Sequence, residues 1–474
     1  VLQHWHDLRL GGRYLLPEQV ILPVVAFVVA LAVGLRWDRR GLRSLVVLAV
    51  ILAPLRGGLL ALADEVHLAN SGLAINALVP ALVAALTLGV IVRLRPRLSE
   101  LPKPLLIGWA LIALVALLNL GAQDVGLKLY GVGLAQYMVY PTLVIAAWPL
   151  YQPGDRTRLS RLLIAMGLVV AATVLIQATG IENFIQSAGA EVEGLAANRY
   201  AGITGSYLHT SAFLGVAAVL LMGEMLVLER ARDRAIAAFL LAVVFSGEIL
   251  TFSRSGIVIA GLGFAALLIL VARNRRLVFL AMVVPATIIA LIVGTIGGVA
   301  PDAAGSRVSS GFNPTGDQGN SLRTEAFGNG IDRFRDATVA HQALGEGLGS
   351  TGNARNLVSG EVFTVESYYI KLLVETGVFG LIAIGGFLVW AAYFFALMLW
   401  RHRRPWFASA AAAALGLSLY NAIYPALETQ ILALVWWLLL ALCLRARIES
   451  EVTGEEQAGP IEVESQRNPV LVNR

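Results

Sequence analysis

The sequence predicts an all-α fold, a polytopic bundle of about 12–14 transmembrane helices with a large, partly helical loop on one side. Three observations predict it. Of 474 residues, 57% are hydrophobic and only 14% charged, where a soluble chain carries about 25% charged residues. The apolar residues form long runs, and the mean hydropathy is +0.74. Six arginine-rich stretches, at residues 36–43, 93–103, 156–161, 230–234, 273–276 and 401–404, fall at every second gap between those runs. Positive charge is retained on the cytoplasmic side of a bilayer, so this alternation orients the whole chain.

The net charge of +5 and pI near 9.4 invite a nucleic-acid reading. The arginines flank apolar runs rather than line a groove, so they fit anionic lipid headgroups better, and nucleic acid is excluded as a partner. Cys443 is the single cysteine, which rules out an intrachain disulfide and thiol-rich metal sites. No cleavable signal peptide is visible.

Crossing about 30 Å of hydrocarbon takes roughly 20 residues. Spans are therefore expected near 18–35, 44–63, 73–92, 104–121, 129–150, 162–179, 207–228, 235–252, 256–272, 277–299, 367–399, 406–424 and 428–445. With the arginine clusters cytoplasmic, the N-terminus lies outside and the C-terminus inside, and all six clusters agree. Residues 1–447 read as one transmembrane domain. Two outer loops are long: 180–206, with Glu191, Glu193 and Arg199, and 300–366, glycine-rich, with Arg307, Arg323, Arg333, Arg335, Arg355 and His341. Loops of this length are usually functional or disordered. Within the second, Ala326, Phe327, Ile331, Phe334 and Ala337 recur at helical spacing, which predicts an amphipathic helix over Leu322–Leu344. The run Gly345-Glu346-Gly347-Leu348-Gly349 ends it. The tail 448–474 is acidic and reads as a disordered cytoplasmic segment. The chain shows no short-period repeat and no inverted halves of the transporter kind.

Several polar residues stand out against this apolar background. Arg254 lies in Thr251-Phe252-Ser253-Arg254-Ser255-Gly256, a tight outer turn between two spans. It is either an interfacial arginine reaching headgroups or an anion clamp, since a guanidinium matches phosphate oxygens bidentately and stays charged. Arg199 precedes closely spaced Gly202 and Gly205, which permit close backbone approach; a solvated surface charge is the plain alternative. Arg323 opens the loop helix and either pairs locally with Glu325 or faces a ligand. Arg56 sits inside the second span, lining an internal cavity or snorkelling outward. Glu366 stands where the large loop returns to the membrane. Desolvation there would make it a better proton acceptor; alternatively it caps a helix start. Tyr368 and Tyr369 are placed to stack on a sugar ring or to serve as belt residues. His341 and Lys128 are weaker candidates, and His209 is expected to be a hydrogen-bonded structural histidine. No metalloprotease, Walker, serine-hydrolase or dinucleotide motif occurs where it could act. The cytoplasmic loops are too short for a nucleotide-binding domain, so the substrate must come from the membrane and its outer side.

Four of these stretches together resemble the O-antigen polymerase and ligase superfamily of bacterial envelope enzymes, membrane glycosyltransferases of GT-C-like type. They are Arg199-Tyr200-Ala201-Gly202 with Gly205, the Thr251–Gly256 turn, Arg323 with its helix and the Gly345–Gly349 run, and Glu366 through Gly380, ending Glu375-Thr376-Gly377-Val378-Phe379-Gly380. They cover roughly residues 195–400; the first half of the chain matches in hydropathy alone. Ligases of the superfamily carry a histidine followed by asparagine at the head of the return helix. Here the position reads Glu366-Ser367, which tilts the likeness toward a polymerase.

The resemblance implies an oligosaccharide donor linked through diphosphate to undecaprenol, an acceptor glycan, membrane lipids and a chain-length regulator as partners, and no cofactor or metal. It also implies location in the bacterial inner membrane, with the site facing the periplasm. An acceptor hydroxyl would displace the lipid diphosphate with inversion. Arg254, Arg199 and Arg323 would neutralise the diphosphate, Arg56 would be a fourth, and Glu366 would take the proton. Two alternatives remain. A ligase would move a finished polymer onto lipid A core or another acceptor, and a transporter would carry lipid-linked sugar unchanged.

Overall fold

A backbone in hydrocarbon must satisfy its own N–H and C=O groups, and each apolar run does so as a helix. The computed structural model describes residues 9–10, 13–14, 17–36, 39–65, 71–96, 101–122, 126–151, 153–179, 200–251, 253–270, 318–352, 355, 363, 365–401 and 405–453. In chain order the helices are α1 (Pro17–Arg36), α2 (Arg39–Leu52), α3 (Arg56–Glu65), α4 (Ser71–Leu94), α5 (Lys103–Ala122), α6 (Leu127–Leu150), α7 (Pro153–Ala178), α8 (Tyr207–Val227), α9 (Ala231–Leu250) and α10 (Arg254–Leu270). After the first part of the large loop come α11 (Gln318–Asp336), α12 (Val339–Leu344), α13 (Tyr368–Gly380), α14 (Gly386–Arg401), α15 (Pro405–Tyr420) and α16 (Gln430–Thr453). A two-residue hairpin, Arg9–Leu10 against Arg13–Tyr14, precedes them.

Among the described residues seven helices are long and apolar enough to cross a membrane, or eight if the bent pair α2–α3 is one span. The chain is thus an all-α, multi-pass membrane protein. Helix covers most of each expected span except 277–299, which lies outside the described residues, but the helices at 18–35, 235–252, 256–272 and 406–424 are not among those seven or eight.

Two expected spans are broken. The run 44–63 bends by 70° between α2 and α3, at Pro54, which supplies no N–H to the helix and crowds the residue before it. The bend makes Arg56 the first residue of α3. The return span over 367–399 loses helical geometry at Gly377 (φ 63°, ψ −166°) and passes through a π-helical turn at Leu381–Gly385. The loop helix expected over Leu322–Leu344 is two helices rather than one. Thr338 caps α12, its side chain accepting from the His341 N–H, so the chain restarts there. The tail departs from expectation as well, because α16 continues helical to Thr453, past the end expected at 447. Residues 454–474 lie outside the described residues.

Helices α8, α15 and α16 are buried on nearly every face and form the centre of the bundle, as helices hydrophobic all round should. Without a hydrophobic force between helices in lipid, close packing of small residues holds them. At the crossing of α8 and α10, a Cβ on Gly215 would lie 2.6 Å from the Gly256 carbonyl oxygen. That approach seats the Ser253–Gly256 turn against α8.

Candidate functional site

Most of the polar side chains inside this bundle lie toward its arginine-poor end, the outer end by the charge rule. Arg56, partly buried at the head of α3, donates from Nε to Asn76 Oδ1 of α4 at 2.5 Å. Gln430 of α16 donates to the Asn76 carbonyl. Tyr140 of α6, Tyr424 of the α15–α16 connection and His209 of α8 lie close enough to interact electrostatically with the guanidinium. All of these described partners are neutral. Tyr424 Oη and His209 Nε2 are 3.1 Å apart. Either atom can be the donor, according to the imidazole tautomer. The expectation of a hydrogen-bonded His209 agrees with this geometry.

The chain leading into α8 is packed against the same corner. The Gly202–Thr204 turn is pinned to α7, where Gln177 Oε1 accepts from Gly202 N at 2.9 Å and Thr173 Oγ1 from Ile203 N at 3.1 Å. Gly205 (φ 75°) then meets Gly57 so closely that a Cβ on Gly57 would collide with its backbone. Tyr200 N donates to the Leu250 carbonyl at 3.4 Å, beside the turn that leads to Arg254. Backbone therefore joins three sequence-distant stretches: the start of α3, the approach to α8 and the start of α10. Arg199 lies outside the described residues.

The Ser-Arg turn has a buried frame. Ser211 Oγ of α8 donates to Glu248 Oε1 at 2.5 Å and accepts from Ser255 Oγ at 2.9 Å and Gly256 N at 2.8 Å. The Glu248 carboxyl group thus lies beside the first turn of α10 and, through Ser211, holds the turn from beneath. Arg254 is the first residue of α10 and Arg323 the sixth of α11; both are placed by backbone alone, as is Lys128, the second residue of α6.

Glu366 precedes α13 by two residues and is partly buried; Ser367 occupies the N-cap position. Glu366 interacts electrostatically with Tyr424, which places it on the border of the Arg56 cluster. The two tyrosines that follow part company. Tyr368 is buried, its ring 6.2 Å from that of Tyr137. Tyr369 is only partly buried. His341 is partly buried in α12, on the loop helices rather than in the Arg56 cluster.

The sequence reading missed a second polar layer. Lys371 is 1% exposed and Glu375 fully buried; their side chains pair at 2.6 Å, and Lys371 Nζ is 3.5 Å from Glu428 Oε1. Glu375 also accepts from Tyr137 Oη at 2.8 Å and Thr351 Oγ1 at 2.7 Å. A lysine and a glutamate four residues apart in an apolar run are a legible signal of an intramembrane pair. Glu428 and Glu248 carried no such spacing. Among the described residues no group of three His, Cys, Asp or Glu side chains is placed to share a metal ion.

Residues 236–385 match the family model described as O-antigen ligase. The match runs from α9 through the Ser-Arg turn, the large loop and α13, and leaves Arg56 and Arg199 outside it. No curated protein is a significant match to the chain.

Proposed function

We propose that this chain, whose residues 236–385 match the family model described as O-antigen ligase, polymerises oligosaccharide repeat units from undecaprenyl diphosphate donors at the periplasmic face of the inner membrane. The acceptor sugar hydroxyl attacks the anomeric carbon of the donor. A new glycosidic bond forms as the bond to the diphosphate breaks, the lipid diphosphate departs with the electron pair, and the hydroxyl proton passes to Glu366. One direct displacement inverts the anomeric centre.

The observation that carries this reading is Arg56. A guanidinium drawn into a bundle is costly unless an anion meets it, and its described partners, Asn76, Tyr140, Tyr424 and His209, bring no negative charge. A diphosphate supplies that charge in the geometry a guanidinium fits best. The leaving group is already good, so catalysis needs mainly charge neutralisation and an aligned acceptor. Arg254, Arg199 and Arg323 complete the diphosphate site in this scheme, and the joined backbone of α3, the α8 approach and α10 supports it. Tyr369, Lys128 and His341 remain candidates for the sugar side. Further partners in this scheme are the surrounding lipids and a chain-length regulator.

The test is reconstitution of the purified protein in lipid with native lipid-linked oligosaccharide. A ladder of products means a polymerase; a single transfer to lipid A core or another acceptor means a ligase. Movement of labelled donor across the bilayer without covalent change would replace both readings by transport. Turnover strictly dependent on an added divalent metal would overturn the arginine-based scheme.

A further inference from the structure

We infer that Lys371, Glu375 and Asn119 are positioning residues that hold the Gly345–Gly352 segment of the large loop inside the outer end of the bundle, as a fixed wall of the transfer site. The sequence marks this glycine-rich segment as a helix breaker on an outer loop. Its surroundings are those of a core element: Leu348, Ser350 and Thr351 are buried.

The break in α13 explains how it is held. The non-helical backbone at Gly377 leaves the carbonyls of Val374 and Glu375 without their usual helical donors. Loop amides replace them, Glu346 N donating to Val374 O at 3.0 Å and Gly347 N to Glu375 O at 3.2 Å. Irregular backbone near membrane depth is tolerated only where protein satisfies it in this way. Asn119 of α5 closes the joint from the other side: Nδ2 donates to Leu344 O at 2.6 Å and Glu375 O at 2.8 Å, while Oδ1 accepts from Leu348 N at 2.8 Å. The Glu375 carboxylate takes Thr351 N at 3.1 Å and Thr351 Oγ1 at 2.7 Å, and Lys371 neutralises it.

The same element that ends in this joint begins beside Glu366, which shares Tyr424 as a neighbour with Arg56 of α3. Docking the segment therefore sets the distance between the proton acceptor and the diphosphate site. Binding of the lipid-linked donor at Arg56 does not depend on it; alignment of the acceptor does. The docking stands apart from the transferase reading, and only its effect on turnover rests on that reading.

Ser350 Oγ is buried and has no hydrogen-bond partner among the described residues, so Ser350→Cys in a Cys443→Ala background introduces one thiol at little cost. In lipid nanodiscs that thiol is expected to resist a membrane-impermeant maleimide. Adding Thr351→Val or Asn119→Ala should raise the labelling rate about tenfold, as loss of a buried hydrogen bond shifts local opening. The same variants should lower kcat for chain growth and leave the donor KM within about twofold, because truncating an alignment contact removes transition-state binding and spares uniform binding. Thr351→Val is nearly isosteric and serves if Asn119→Ala does not fold. Rapid labelling before either substitution, or faster labelling with kcat unchanged, would overturn the inference. Should the parent protein transfer no sugar at all, the transferase reading falls and the labelling rates alone decide the docking.

Discussion

Arg56 and Glu366 both interact electrostatically with Tyr424, and the proposed transfer gives them opposite duties. Arg56→Ala is expected to lower chain-growth kcat by about 10²–10³-fold, the usual cost of removing one preorganised charge-stabilising group, in protein that still elutes as a single species in detergent. Arg56→Lys should recover little of it, because an ammonium cannot reproduce the planar fork. Arg254→Ala and Arg323→Ala should each abolish chain growth in the same assay. For Glu366→Gln a loss of about 10²–10⁴-fold is expected if the carboxylate takes the proton; near-normal turnover would remove it from the mechanism.

At the scale of elements, the breaks carry the site. Pro54 turns one apolar run into α2 and α3 and puts a guanidinium at the head of the second helix. Gly57 lets the approach to α8 lie directly on that helix, so Gly57→Leu should force the two apart and cost about 1–3 kcal/mol, the usual penalty of overpacking, measured as a lower melting temperature with a raised donor KM. Gly377 has φ 63° and ψ −166°, a region essentially confined to glycine, where an L side chain costs about 1–3 kcal/mol. Gly377→Ala is also pressed against the Ala343–Leu344 backbone, so it should both destabilise the protein and loosen the docked loop, read as faster maleimide labelling after Ser350→Cys.

For the whole molecule, the central question is how a chain only 14% charged keeps ionised groups within its helical bundle. Glu375 has Lys371, Tyr137 and Thr351 around it. Lys371→Met would strand the Glu375 charge and should cost about 3–5 kcal/mol, the measured range for breaking a buried pair from one side. The double variant Lys371→Met with Glu375→Leu should regain part of that loss in a thermal melt, since the Glu375 charge leaves with its partner, although Glu428 also loses Lys371 and the loop would be less firmly docked. A melt no lower for Lys371→Met than for the parent would contradict the burial of the pair.

By itself the sequence determined the helical class, the approximate course of the apolar runs and the rhythm of charge between them, because hydrocarbon thickness and the cost of burying charge act on each segment locally. It also marked Arg56 as misplaced for a lipid-facing helix and the Gly345–Gly349 run as a breaker. The tertiary structure decided the rest: that Gly57 meets Gly205, that His209 and Tyr424 lie near Arg56, that Glu375 closes on Thr351, and that Tyr368 is core. Those pairings join residues far apart in the chain, and they follow from how helices pack against one another, which no periodicity within a single helix encodes.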